Sequence, residues 1–463
     1  MSDEADAGEG DDAFERVVGE VREWVDPDEG EWARMREVAG ELAARAEAAV
    51  ADLCPAADVM QVGSTARGTW IAGDRDVDLF VRFPPDVDRE DLEAWGLAVG
   101  HAVLPDGREE YAEHPYVKGE YEGFDVDCVP CYRVDSASDI RSAVDRTPFH
   151  NEYLEARLDD DLAADVRVTK QFLKGIGVYG SDLKTRGFSG YVTELLVLEY
   201  GGFREFVEAA AEWQPPVLLD PEGHAAASFD DALVVVDPTD PERNVAAVCS
   251  TANVARLQHH ARALLDDPTV DRFRPRDPDP LPADAVREHV ARRGTTPVAL
   301  DFAPPDLVDD QLWPQLRRSL DGIVDELDRR GFDVLRAATF ATDDRERAAL
   351  FAELEVVERP TVTRHDGPPV HVDAHAKGFY ETYAADADAY GPFVDEDRYV
   401  VERDREFTTA TALLESDAVF DVRLGTHVET ALREEYDVLA GDAVAELADD
   451  FGVELAAYFD PAP

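Results

Sequence analysis

Asp76 and Asp78 stand two apart in DVDLFVRF, and Asp125 and Asp127 stand two apart in FDVDCVPCY. Both strings carry the apolar, β-branched composition of strands, over 76–83 and 124–132, and the first meets a stop at Pro84-Pro85. The period of two places each carboxylate pair on one strand face. Two such strands side by side would gather oxygen ligands for Mg2+, which takes one or two carboxylates together with substrate phosphates. The matching chemistry is phosphoryl or nucleotidyl transfer by two metals, one activating a hydroxyl and one steadying the leaving pyrophosphate. In a chain with 102 acidic residues, either pair alone also fits a solvated strand edge.

Upstream, the apolar run VMQV leads into Gly63-Ser64-Thr65-Ala66-Arg67-Gly68-Thr69 at a helix start. Backbone N–H groups, a hydroxyl and a guanidinium there suit a triphosphate. The plainer alternative is an ordinary N-cap at Ser64 with Arg67 on the surface. Cys128-x-x-Cys131 invites a zinc or redox reading, but no second pair or histidine cluster completes it. With Cys54 and Cys249 these four thiols are too few for a disulfide framework in such a long chain.

The elements that must position these residues alternate in type. Behind an acidic tail, 14–53 reads as one or two amphipathic helices, broken near Asp26-Pro27, with Trp24, Trp32, Met35, Val38 and Leu42 on apolar positions. VRVTKQFLKGIGVYG and YVTELLVLEYGGF read as helices within 150–212, 215–231 as a loop, ALVVVDP as a strand, and about 244–265 as a helix. The run 271–282 has linker composition. Beyond it come TPVALDF as a strand, a helix over 312–330, ALFAELEVVE, and a last helix near 436–451. The order predicts α+β modules rather than one large sheet.

The length of 463 residues suggests roughly three domains, and 44% hydrophobic residues exclude a wholly disordered chain. No run of about 18 apolar residues occurs, and MSDEADAGEGDD has no signal-peptide pattern, so the expectation is a soluble, cytoplasmic protein with no membrane partner. The net charge is −57, and lysine occurs only at 118, 170, 174, 184 and 377, so the other 40 of the 45 basic residues are arginine. Such a surface fits a cytosol at molar salt, where the Debye length is about 3 Å. At that salt the net charge says little about nucleic-acid binding.

The order Gly-Ser, then Asp-x-Asp, then a third Asp on a later strand resembles the nucleotidyltransferase superfamily of DNA polymerase beta and the poly(A) polymerases. YAEHPYVKG, VDCVPCY, SAVDRTPFH, RGFSGY and VVDPTDPERNVAA narrow it. Together they resemble the archaeal class I CCA-adding enzymes, strongly over about 30–260 and more weakly through PDLVDDQLWPQL and the C-terminal third. The resemblance implies an α+β multidomain fold: a polymerase-beta-like nucleotidyltransferase head (1–158), a helical neck binding nucleotide and tRNA (159–268), and a ferredoxin-like α+β body and tail. The body would span 269–335, with 420–463 a candidate to complete it, and the tRNA-binding tail 336–419.

The implied function is template-independent addition of C, C and A to the 3′ end of tRNA from CTP and ATP, with Mg2+ as cofactor and a homodimer left open. Residue by residue, the resemblance puts the catalytic and metal carboxylates on Asp76, Asp78 and Asp127. Nucleotide contacts fall on Ser64, Arg67, His150, Lys170 and Tyr179. Asp76 stands where relatives can have Glu, which shortens the reach. Asp74 reads as surface decoration unless the register slips, and Asp125 as a poorer ligand than Asp127. Arg243-Asn244 would lie near the base or the tRNA phosphates, or merely start a helix. Lys170, Lys174 and Lys184 cluster in a chain that otherwise discards lysine, and Lys170 and Lys174 form a like-charge i,i+4 pair. Competing readings are a poly(A) polymerase and a non-catalytic RNA-binding protein on a dead transferase fold, the latter disfavoured by three intact Asp.

Overall fold

The computed structural model describes residues 3–111 and 113–463, which divide into two compact units between Arg276 and Asp277, inside the expected linker. The first unit opens with helices α1 (Asp3–Val25) and α2 (Glu29–Leu53). Asp28 and Glu31 form a reciprocal capping box at the start of α2, worth about 1 kcal/mol, so the break expected at Asp26-Pro27 has a physical stop and restart. The acidic tail is helical from Asp3. Trp24 does not reach the core: it is 37% exposed, with Arg274 over its ring.

Next come β1 (Asp58–Val62), α3 (Gly63–Arg67), β2 (Asp76–Phe83), α4 (Arg89–Val103), β3 (Arg108–Tyr111), β4 (Pro115–Tyr121) and β5 (Phe124–Tyr132). The five strands form one sheet in the order β1-β2-β5-β4-β3, and β2 and β5 run parallel. Met35, Leu42 and Val50 of α2 and Leu92, Val99 and Val103 of α4 cover the sheet's apolar face, Val77, Leu79, Val81 and Val126. Burying each such side chain stabilises by about 1.5–3 kcal/mol. Cys128 and Cys131, three apart on β5, lie in different apolar clusters, and burial pushes the Cys128 thiol up to about 12.

The remainder of this unit is α5 (Thr147–Glu155), α6 (Asp160–Gly175), α7 (Gly190–Tyr200), α8 (Phe203–Glu212), β6 (Val217–Leu219), β7 (Leu233–Asp237), β8 (Asp240–Asn244) and α9 (Thr251–Asp266). Three expectations are corrected. The helix read through IGVYG stops at Gly175, because Val178 and Gly180 exchange backbone hydrogen bonds with Phe188. The loop 215–231 contains β6, since Val217–Leu219 pairs with Leu233–Val235. The helix expected from Asn244 starts at Thr251 behind the capping hydroxyl of Ser250, and 240–244 folds back on β7. Phe14, Val18, Val21 and Val25 of α1 pack into the core of this part, with Phe172, Phe203 and Phe273.

The second unit contains α10 (Ala283–Arg293), β9 (Thr296–Phe302), α11 (Asp309–Arg329), β10 (Val334–Ala341), β11 (Ala348–Leu354), β12 (Val362–Pro369), α12 (Asp373–Ala384), β13 (Ala389–Asp395), β14 (Arg398–Asp404), α13 (Ala410–Leu414), α14 (Thr426–Glu434), β15 (Asp437–Ala440) and α15 (Ala448–Phe459). Its sheets are β10-β11-β9-β15 and β12-β14-β13. The last helix was expected too early: 437–440 pairs as an edge strand with β9, Gly441 turns at φ +58°, and α15 starts at Ala448. Among the described residues no helix is long and apolar enough to cross a membrane.

Candidate active site

The parallel register of β2 and β5 sets Asp76 beside Asp125 and Asp78 beside Asp127, so four carboxylates share one face of adjacent strands. Asp76 and Asp125 are exposed; Asp78 and Asp127 are half-buried. Burial first, then Asp127 and Asp76, pushes the Asp78 carboxyl up to about 6. Asp76 is raised by burial and by Asp74 and Asp125. Across the sheet Lys118 on β4 is in register with Asp127. Its ammonium lies 3.1 Å from Oδ1 and hydrogen bonds to Oδ2 at 3.3 Å. Burial pulls against that charge, but the bond to Asp127 holds the Lys118 ammonium above its ordinary value.

Two features test whether these residues suit a divalent cation. Asp127 Oδ1 is buried and accepts no hydrogen bond, its charge met only by the Lys118 ammonium 3.1 Å away, a place a divalent cation could take over. Gly63 sits at φ +81°, where a Cβ would fall 2.2 Å from Asp78 Oδ2; only glycine leaves the Asp78 carboxylate its space. Among the described residues no three His, Cys, Asp or Glu side chains form a preassembled cage. An octahedral ion would therefore complete its shell from water and substrate phosphates, the habit of Mg2+.

Beside the carboxylates, α3 has only five residues and no side-chain cap. Ser64 is not its N-cap, and the helix is too short to offer much dipole. Arg67 is not a surface residue. Its Nη2 pairs with Glu194 on α7 at 2.7 Å, its Nη1 donates to Asn151 Oδ1 at 2.5 Å, and only 8% of its side chain is exposed. Lys170 on α6 is buried, donating to the Thr69 carbonyl at 2.9 Å with Glu194 Oε1 at 3.8 Å. Burial brings its ammonium down to about 8. Tyr179 turns its hydroxyl towards Gly190, where Lys170 Nζ also ends. Lys174 lies over the Tyr179 ring and 3.5 Å from Asp74, so Asp74 bridges to α6. Lys184 lies on the exposed loop after Gly180.

His150 stacks on Tyr191 with ring centroids 4.0 Å apart, and its Nε2 is 2.8 Å from Asp237 Oδ2. Burial holds the imidazole below its ordinary value. Burial would raise the Asp237 carboxyl, but His150 and Thr239 hold it well below the usual carboxylate range. Arg243 also pairs with Asp237, at 2.9 Å. Asn244 serves the fold: its amide binds the backbone of Val235, Ala246 and Leu233. The constellation is continuous, since Asn151 joins His150 along α5 to Arg67 and Val62 joins α3 to Asp78 in register.

Residues 44–150 match the family model of a nucleotidyltransferase domain, 164–274 that of the tRNA nucleotidyltransferase second domain, and 293–441 that of the CCA-adding enzyme C-terminal domain. The chain is 62% identical to the CCA-adding enzyme of Haloarcula marismortui, over 98% of this chain and 100% of that one. It is 63% identical to that of Halorubrum lacusprofundi, with the same coverage. It is 38% identical to that of Methanosarcina barkeri, over 94% and 96%. The chain belongs to the CCA-adding enzyme family. Its α+β multidomain architecture is that of a nucleotidyltransferase. In this member of the CCA-adding enzymes, sequence reasoning missed Lys118, Asn151, Tyr191, Glu194 and Asp237. For Lys118 the signal was present in the scarcity of lysine, applied only to the cluster at 170–184.

Proposed function

We propose that the carboxylate face of β2 and β5 is the reacting centre of this CCA-adding enzyme, which adds C, C and A without a template to the 3′ end of tRNA, using CTP and ATP. The observation that carries the site is the in-register pair Asp78 and Asp127, with Asp76 at its outer edge. These three would hold divalent cations, Mg2+ in particular, which supply a lowered pKa to the tRNA 3′ hydroxyl and charge stabilisation to the leaving pyrophosphate. Ser64, Arg67, Lys170 and Tyr179 would bind the triphosphate, and His150, braced by Asp237, would meet the nucleotide beside it. Lys118 neutralises Asp127 while the site is free of metal.

The four-part division at 158, 268, 335 and 419, with ferredoxin-like body and tail, remains our proposal for how tRNA is held. A homodimer and a cytoplasmic setting belong to the same proposal; sedimentation at molar KCl tests the dimer.

Transfer is tested with tRNA lacking CCA, labelled CTP or ATP, and Mg2+ at high KCl. The expected product stops after three nucleotides, whereas an open-ended A tail would indicate a poly(A) polymerase. Asp78→Asn and Asp127→Asn should each lower addition by about a thousandfold or more, because charge on the reacting phosphoryl group loses its counter-charge. tRNA affinity should persist, and activity within tenfold of the parent would remove that residue from the site.

A further inference from the structure

Glu194 lies within α7, among apolar residues, with none of its surface exposed. Its Oε2 pairs with Arg67 at 2.7 Å, while its Oε1 accepts from the Thr69 hydroxyl and stands 3.8 Å from Lys170 Nζ. Only 8% of the Arg67 side chain and 4% of the Lys170 side chain are exposed. Two cations therefore share one carboxylate in a desolvated cluster, and Arg67 Nε is buried with no hydrogen-bond partner. An uncompensated buried charge is expensive and calls for an anion to pair with. The groups facing Lys170 are Glu194 on α7, Arg67 on α3, Asp74 before β2, Lys174 on its own helix and the Tyr179 hydroxyl beside Gly190.

We propose that Glu194 is a positioning residue for nucleotide binding: touching no nucleotide itself, it aims Arg67 and Lys170 and keeps Lys170 protonated for the triphosphate of CTP or ATP. The proposal rests on the triphosphate reading of Arg67 and Lys170 given above. Lys170 already sits at about 8 because burial disfavours its charge, and Glu194 is the largest influence acting the other way. Without the Glu194 charge, Lys170 would lose its proton at lower pH, and triphosphate affinity would become pH-dependent near neutrality.

The full-length Glu194→Gln protein tests this through KM for CTP and ATP, kcat, and tRNA affinity between pH 6.5 and 8.5 at molar KCl. Expected are equal rises in both KM values, at least tenfold at pH 8 and threefold or less at pH 6.5, with kcat within threefold and tRNA affinity unchanged. KM values within twofold of the parent at every pH would overturn the proposal. So would a rise independent of pH that is accompanied by parallel losses of kcat and tRNA affinity, the mark of a merely structural residue. Should the variant not fold, the unmodified protein provides the measurement: its affinity for CTP, titrated directly, should weaken about tenfold from pH 7.5 to 9.5, and a flat profile would overturn the proposal. Binding of neither CTP nor ATP by the unmodified protein would overturn the triphosphate reading itself.

Discussion

Lys118 faces Asp127 across the β4–β5 pair, its ammonium 3.1 Å from Oδ1. Four carboxylates thus meet one lysine before any cation arrives. Lys118→Met should leave the face more negative, so Mn2+ should bind about tenfold more tightly, about 1.4 kcal/mol. Titration of the metal-free protein by electron paramagnetic resonance reads this directly; unchanged affinity would mean that Lys118 does not compete with the metal.

Metal binding should also depend on pH in a defined window. Divalent ions need ionised carboxylates, and Asp78 titrates at about 6 instead of 3.8. Affinity should be level above pH 7 and fall about tenfold per pH unit below 6. In the metal-free protein the folded state keeps the Asp78 proton that the unfolded state releases near 3.8. That contribution to stability is full below 3.8 and lost as pH rises through about 6. Mn2+ should accordingly raise Tm more at pH 7 than at pH 5 in calorimetry, and equal shifts would contradict the assignment.

Gly63→Ala should damage the site more than the fold. The new methyl would meet Asp78 Oδ2 at 2.2 Å on a backbone at φ +81°, costing about 1–3 kcal/mol of strain. Displacement of the carboxylate should lower kcat about a hundredfold or more. A variant with parental kcat would show that Asp78 need not occupy its present position.

Salt sets two effects against each other. Counterion release weakens tRNA contacts as KCl rises. Repulsion among −57 net charges, and between them and tRNA, reaches about 30 Å at 0.01 M but only about 3 Å at 1 M. Addition rate and far-UV circular dichroism measured from about 0.05 to 3 M KCl should both rise towards molar salt. Maximal activity with full structure at the lowest salt would refute the halophilic reading and leave the transferase assignment intact.

The strands bearing the carboxylates were legible to the residue, 76–83 and 124–132, because alternation, β-branched content and Pro84 all agree there. Their parallel pairing was not, since register depends on contacts nearly fifty residues apart. Glu194 escaped because an acid in YVTELLVLEY reads as the solvent side of a helix, as the exposed Glu199 of the same string is. The available clue was position: Glu194 lies mid-helix among apolar residues, where an acid must be buried and paired, whereas Glu199 lies in the last turn and is exposed. Arg67 was expected beside phosphates or on the surface, but its two protein partners come from helices 84 and 127 residues further on. The same distance hid the role of Asp237, whose partner His150 lies 87 residues earlier.

The packing of α1 against Phe172, Phe203 and Phe273 has a consequence for how the chain is made. Phe14, Val18, Val21 and Val25 leave the ribosome before their partners, and Phe273 follows Val25 by about 250 residues, or about 10–50 s of synthesis at about 5–20 residues per second. Over that interval the native cover of the first helix arrives in steps, Phe172 and Phe203 before Phe273, while the five-stranded sheet can already close behind it. A pause or truncation before residue 172 would leave the nascent chain with a largely uncovered adhesive face, and one before residue 273 with a cover still incomplete.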